Sequence, residues 1–490
     1  MKHSRVVILG IDGMDFDYVS NIQTQLPSIN KLSKIGIVTP FQSVFPPDSI
    51  PSWITCYTGK DPSEHGILGS VNYLANPNDQ LCVDTSAFQG KTFWDIIGQS
   101  GYTVCIVNPF MAYPVWPVNG LMISGPVYID GNIQISDSTK TEDIDVPNSF
   151  GGIVDFPSKR SLSDFIDKTF SETAKQAEFG LNVIKKYRPD LFFQTFLNMD
   201  RIQHFLWRYC DMNDPTYPGT NPHERSIKKF YIFIDQLIGQ FIKTLGPDDR
   251  IIVISDHGHG MRCTHCFNIN ELLRKHGYVK SVADGKIFCK ELLLEITKNY
   301  FLHFLNEHNM EDCIRKIAKF IPNAKKIKKG RHITKSSANK AYASDFAGTN
   351  PFGGICINKE LVDDYDEIRT KLISLLLSVK SNGERIFEWI CKREEIFNGE
   401  FLERFPDILF CLKSQYGVSW NLHTKEFTVN PTHKKISGGH KTNGIFFSNI
   451  PMDRFINPEY IKMTNFFSTI LNLFGIEVRE LSRGRSFVKN

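Results

Sequence analysis

Three short apolar runs in this chain each lead into an aspartate, and that pattern constrains the fold more than any other feature. Val6–Ile11 leads into Asp12-Gly13, residues 191–197 into Asn198-Met199-Asp200, and residues 251–255 into Asp256-His257-Gly258. Continuous apolar runs of this length, separated by helix-length segments, suit strands buried on both faces. The expectation is therefore an α/β fold with a mostly parallel central sheet and helices on both sides. Further strands are expected at 102–107 and 353–357, with helices at 164–186 and 227–245 and a helix-to-strand passage at 32–37. In an open parallel sheet, ligands bind beyond the carboxyl ends of the strands. Three aspartates delivered there would share one crevice. One aspartate after a strand is ordinarily a cap or a turn former. Three of them, two with histidine partners, point to metal ligation.

The histidines are spaced for that task. Asp200 and His204 are four apart on an expected helix over 200–209, so both side chains face one way. Asp256 and His257 are adjacent on a turn, and His440 follows Ser437-Gly438-Gly439, where glycine lets backbone approach a ligand. His303, His308 and His433 have no comparable setting and read as surface residues. A mixed Asp/His donor set suits zinc, with manganese second, whereas calcium prefers mainly oxygen. Three aspartates and three histidines make two half-shells, enough for two divalent ions about 4 Å apart. Two dications against three carboxylates leave a net charge of about +1 to meet an anionic phosphate.

Ser49, in Phe45-Pro46-Pro47-Asp48-Ser49-Ile50-Pro51-Ser52-Trp53, reads as the N-cap of a helix that runs past Tyr57 and stops near Gly59. Helix N-termini attract phosphate oxygens. Beside a metal, the hydroxyl could ionise and attack phosphorus. Standing alone, such a serine would be only a cap.

Taken in order, five segments resemble the alkaline phosphatase superfamily, specifically the type I phosphodiesterase and nucleotide pyrophosphatase family. They are Gly10-Ile11-Asp12-Gly13-Met14; Ser49-Ile50-Pro51-Ser52-Trp53 with Thr58-Gly59-Lys60-Asp61-Pro62-Ser63-Glu64-His65-Gly66; Asp200-Arg201-Ile202-Gln203-His204; Ser255-Asp256-His257-Gly258; and Gly439-His440. The resemblance implies an alkaline-phosphatase-like core. It implies one ion on Asp12, Asp256 and His257, with Ser49 as nucleophile and itself a ligand, and a second ion on Asp200, His204 and His440. It also implies hydrolysis of a phosphodiester or pyrophosphate bond through a covalent intermediate on Ser49. Ser52 and Trp53 are the expected substrate contacts, and His65 is structural. The chain departs from the family pattern at several points. Ser49 stands where diesterases usually carry threonine, and Ser52 stands where many nucleotide pyrophosphatases carry asparagine. The usual phosphate-donor asparagine has no clear counterpart near Ser70 and Asn72. His259, two residues past His257, is additional and reads as an outer partner of the metal site.

Other classes fit less well. A sulfatase would need an arginine where Trp53 stands. A phosphomonoesterase or cofactor-independent phosphomutase, and a non-catalytic anion binder, remain as alternatives. Lys and Arg number 57 against 53 Asp and Glu, a net +4 over 490 residues, which argues against a whole-surface nucleic-acid binder; the family resemblance implies a phosphate-ester small molecule or nucleotide as partner. No apolar run is long enough to span a membrane. The odd total of 11 scattered cysteines suits reduced thiols in a cytoplasmic location, and Cys263 and Cys266 read mainly as unlinked thiols. Three segments are expected: the first part of the core at 1–270, a helical basic lobe at 271–343 and the remainder of the core at 344–490. The lobe carries ten Lys or Arg against two acids between Glu311 and Lys340, a surface suited to attracting anions or simply to solvation. Residues 71–146 or this lobe would supply the lid that selects substrates.

Overall fold

A computed structural model describes residues 4–68, 85–127, 131–137, 144–150, 157–285, 289–310, 312–313, 333–344, 350–477 and 484–489. The chain forms two compact units, one of Met1–Cys210, Thr220–Gly260 and His440–Asn490, the other of Asp211–Gly219 and Met261–Gly439.

The first unit is built on a sheet with nine strands among the described residues. Their order is Ile461–Lys462, Ile37–Gln42, Asn443–Ser448, Arg250–Ile254, Val6–Ile11, Leu191–Phe196, Val104–Val107, Gly120–Ser124 and Gln134–Ile135. The three strands that lead into aspartates lie side by side. Val6–Ile11 runs parallel to both Leu191–Phe196 and Arg250–Ile254, with Gly10 level with Thr195 and Ile254. Asn443–Ser448 runs antiparallel between two of the strands.

Side chains alternate between two buried clusters, as a strand's period of two requires. Val6 and Ile8 pack on one face with Ile50, Trp53, Tyr57, Phe93, Trp94 and Phe466. Val7, Leu9 and Ile11 pack on the other with Ile29, Leu32, Phe179, Ile202, Phe230 and Phe241. Helices Ser49–Thr58, Phe93–Gln99 and Phe466–Leu473 thus cover one side. Helices Pro27–Ile35, Leu162–Tyr187, Asn198–Cys210 and Ser226–Ile242 cover the other. The expected α/β architecture is present.

The segment boundaries differ from expectation. Residues 344–439 belong to the second unit, because Phe352–Ile357 pairs with Ala341–Ala343 and Ile408–Leu412 in a separate antiparallel sheet. Only the chain from His440 onward rejoins the first unit. An apolar strand looks the same in sequence whichever sheet receives it. The second unit is also not simply helical, since its core gathers Phe267, Ile355, Phe410 and Val418 from strands. Ser70, Asn72 and most of the basic run lie outside the described residues, as does part of the expected lid. His433 is buried rather than on the surface, with Nε2 2.8 Å from Asp214 Oδ2. Cys263 and Cys266 are buried free thiols pushed up by burial.

Candidate metal centre and active site

Each ligand-bearing side chain is placed by a distinct local device. Asp12 follows its strand directly, and Gly13 takes φ 73°, a left-handed turn that suits glycine. A Cβ on Gly13 would also crowd Asp200 at 3.0 Å. The backbone N–H of Gly13 donates to Asp256 Oδ1 at 3.1 Å, tying the ends of two strands together. Asp200 and His204 lie one turn apart on helix Asn198–Cys210, with His204 Nε2 3.2 Å from Asp200 Oδ1.

Backbone carbonyls fix the ring tautomers of two histidines. A carbonyl oxygen only accepts, so His257 Nδ1, 3.0 Å from Gly258 O, carries the proton. His440 Nδ1 likewise donates to Pro47 O at 2.9 Å. Both Nε2 atoms are thereby turned toward the carboxylates. His257 Nε2 lies 3.3 Å from Asp256 Oδ2 and 3.8 Å from Asp12 Oδ1. His440 Nε2 lies 3.4 Å from Asp200 Oδ1 and 3.1 Å from His204 Nε2.

The six residues expected from the sequence therefore come together. Ligand atoms gather in three groups: Asp12, Asp256 and His257; Asp200, His257 and His440; and Asp200, His204 and His259. The donors fit divalent cations. Asp200 Oδ1 and Asp256 Oδ2 are buried and have no hydrogen-bond partner among the described residues. Such orphaned carboxylate oxygens would be costly without a cation. The charges agree. Burial, then the charges of Asp256 and Asp200, push Asp12 well above the usual carboxylate range. Burial, with the charge of Asp200, pushes Asp256 up to about 7 against the hydrogen bond from Gly13. Burial would lower His440, but the nearby Asp200 carboxylate lifts it to about 9. The raised Asp12 and Asp256 reflect buried carboxylates crowded together, a charge that a bound cation would offset.

Ser49 stands at the mouth of this cluster. Its Oγ lies 3.1 Å from His257 Nε2 and 3.3 Å from Asp12 Oδ1. It is the first residue of helix Ser49–Thr58 rather than its cap. Asp48 is the N-cap, accepting from Ile50 N, and Gly59 closes the helix at φ 67°. An Asp-Ser pair offers two good caps in succession, and spacing alone did not choose between them.

Ser52 and Trp53, the expected substrate contacts, are both turned inward by the helix. Ser52 is fully buried and bonded to Ser43 Oγ at 2.9 Å. Trp53, 0% exposed, donates from Nε1 to Asp12 Oδ2 at 3.0 Å. His259, expected as an outer partner of the metal site, has Nδ1 3.3 Å from Asp200 Oδ1. The alternation of His257 and His259 into a strand was the available signal. His65 is structural as expected: Nε2 pairs with Thr55 Oγ1 at 3.2 Å, Nδ1 accepts from Ile67 N, and burial lowers it to about 3.

A mostly parallel sheet with aspartates and histidines at its strand ends defines a class of α/β protein with a candidate metal centre. Comparison with known proteins narrows it. The family model of type I phosphodiesterase / nucleotide pyrophosphatase matches residues 6–440. The chain belongs to that family.

Among curated relatives, ectonucleotide pyrophosphatase/phosphodiesterase family member 3 of Bos taurus is 24% identical over 125 residues, covering 24% of this chain and 14% of the bovine protein. Venom phosphodiesterase 2 of Crotalus adamanteus is 26% identical over 126 residues, covering 25% of this chain and 15% of the snake protein. The matched stretch thus spans only about a seventh of the length of these relatives. Among solved structures, phosphonoacetate hydrolase from Sinorhizobium meliloti 1021, in complex with phosphonoacetate, superposes with a TM-score of 0.57 at 14% identity. The match covers 96% of this chain and 95% of that one, so the two share a fold. No helix among the described residues is long and apolar enough to cross a membrane.

Proposed function

We propose that this protein is a metal-dependent hydrolase of phosphodiester or pyrophosphate bonds that works through a covalent intermediate on Ser49. The observation that carries the reading is the position of Ser49 Oγ, within 3.3 Å of both His257 Nε2 and Asp12 Oδ1 at the start of a helix. Asp12, Asp256 and His257 would hold one divalent ion, and Asp200, His204 and His440 a second. The Asp/His donor set favours zinc, with manganese next. When bound, the ions supply charge stabilisation to the phosphoryl oxygens and lower the pKa of the serine hydroxyl.

The chain's own residues do the rest. Trp53 and the backbone of Gly13 hold Asp12 and Asp256 in place. The first turn of helix Ser49–Thr58 aims the Ser49 hydroxyl at His257 and Asp12 and offers the positive end of its dipole to the phosphate. Attack forms an Oγ–P bond as the P–O bond to the leaving group breaks. Water then cleaves the Oγ–P bond, releasing phosphate or a phosphomonoester and restoring Ser49.

Ser49 in place of threonine supports a second reading, a phosphomonoesterase or phosphomutase on the same site. The substrate would be a phosphate-ester small molecule or nucleotide, and a cytoplasmic location agrees with the ten described cysteines, all free. The test is hydrolysis of bis-p-nitrophenyl phosphate against p-nitrophenyl phosphate by wild type and Ser49→Ala. Preference for the diester, lost in Ser49→Ala by at least about 10³-fold, is the expected result. Preference for the monoester favours the second reading, and full activity in Ser49→Ala overturns the nucleophile.

A further inference from the structure

His259 is 0% exposed, and neither ring nitrogen has a hydrogen-bond partner among the described residues. An imidazole buried with both nitrogens unsatisfied is costly. Its ring is not displaced toward solvent or toward another acceptor. It lies against Trp207, with centroids 6.0 Å apart, and meets the edge of His204 at 4.6 Å. Its Nδ1 points at Asp200 Oδ1, the orphaned oxygen that His204 and His440 also approach, at 3.3 Å against 3.2 and 3.4 Å. Three imidazole nitrogens thus converge on one carboxylate oxygen, at a place where ligand atoms from Asp200, His204 and His259 already cluster.

We infer that His259 is a third imidazole ligand on the Asp200 side of the centre. This rests on the reading of the centre as a metal site. The consequence is asymmetry. Asp200, His204, His440 and His259 give that ion four protein donors, the number typical of tightly held zinc. The Asp12, Asp256 and His257 side has three and leaves room for Ser49. One ion is therefore retained and the other exchangeable.

The test loads metal-free protein with zinc or cobalt(II), counts ions per chain, and withdraws them with a competing chelator. Wild type should bind two ions that leave in two phases. His259→Gln should weaken the tighter phase by about 100-fold, beyond which an outer-shell partner seldom reaches, and should alter the cobalt absorption spectrum. His259→Phe, which fills the same space beside Trp207, should behave alike. Unchanged affinities in both variants, or weaker binding with an unchanged cobalt spectrum, would overturn the ligand assignment and leave the metal centre standing. Should both variants unfold, X-ray absorption of zinc-loaded wild type decides, since ligation by His259 adds an imidazole to those of His204, His257 and His440. A wild type that binds neither zinc nor cobalt would instead remove the metal centre itself.

Discussion

Trp53 and Asp12 are joined by one hydrogen bond: the indole Nε1 donates to Oδ2 at 3.0 Å, leaving Oδ1 to face Ser49 at 3.3 Å. The bond fixes which carboxylate oxygen is free for a cation. It also explains why a tryptophan follows Ser52, where a substrate contact was expected.

Trp53→Phe keeps most of the aromatic packing and deletes the donor. Affinity for the ion on the Asp12 side, or turnover at limiting zinc, should fall about 10–100-fold. Calorimetric zinc titration alongside the activity assay measures both. Equal affinity in the variant would mean that the bond does not orient a ligand.

Gly10 lies beneath the same indole, and a Cβ there would meet Trp53 Cη2 at 2.4 Å. Gly10→Ala should therefore destabilise the first unit by about 1–3 kcal/mol through overpacking. Because Trp53 must move, turnover should drop as it does in Trp53→Phe. Urea unfolding with a parallel rate measurement checks the pairing of the two losses.

Asp256→Asn should separate stability from function. In metal-free protein the Asp256 carboxyl titrates near 7, raised above its unfolded value of about 3.9 by burial. A raised carboxyl binds its proton more tightly when folded, so it erodes stability as pH rises from about 4 to 7. Metal-free Asp256→Asn should melt above wild type, by a margin that widens from pH 5 to about pH 8. Its zinc-loaded form should lack activity. A margin that is flat with pH would contradict the direction of the shift.

Chelation should act on both activity and folding. Removing the ions with EDTA leaves Asp12, Asp200 and Asp256 without a counter-charge, so turnover should vanish and the melting midpoint should fall. Zinc should restore both. Turnover that persists after complete metal removal would exclude the proposed chemistry.

Asp249 offers a pH effect away from the site. Burial alone would raise its carboxyl, but Arg5 Nε at 2.9 Å and the N–H groups of Arg5 and Gly246 hold it below the usual range. A depressed carboxyl contributes stability above its unfolded pKa and loses it as pH falls through the folded one. Asp249→Asn should cost about 2 kcal/mol at pH 7, with the difference shrinking below about pH 4. Denaturant melts at the two pH values measure it.

The amino-acid sequence by itself determined the sheet, the strand ends and the residue types of the candidate ligands. Buried parallel strands must be apolar throughout, and an aspartate or histidine at such an end is visible as a break in that run. Tertiary structure decided what depends on neighbours distant along the chain. It assigned residues 344–439 to a second unit, because strand pairing there is set by partners and not by composition. It bonded Trp53 to Asp12, and buried His433 against Asp214. It brought His259 to Asp200, because only the converging ends of adjacent strands reveal which of several histidines share one carboxylate.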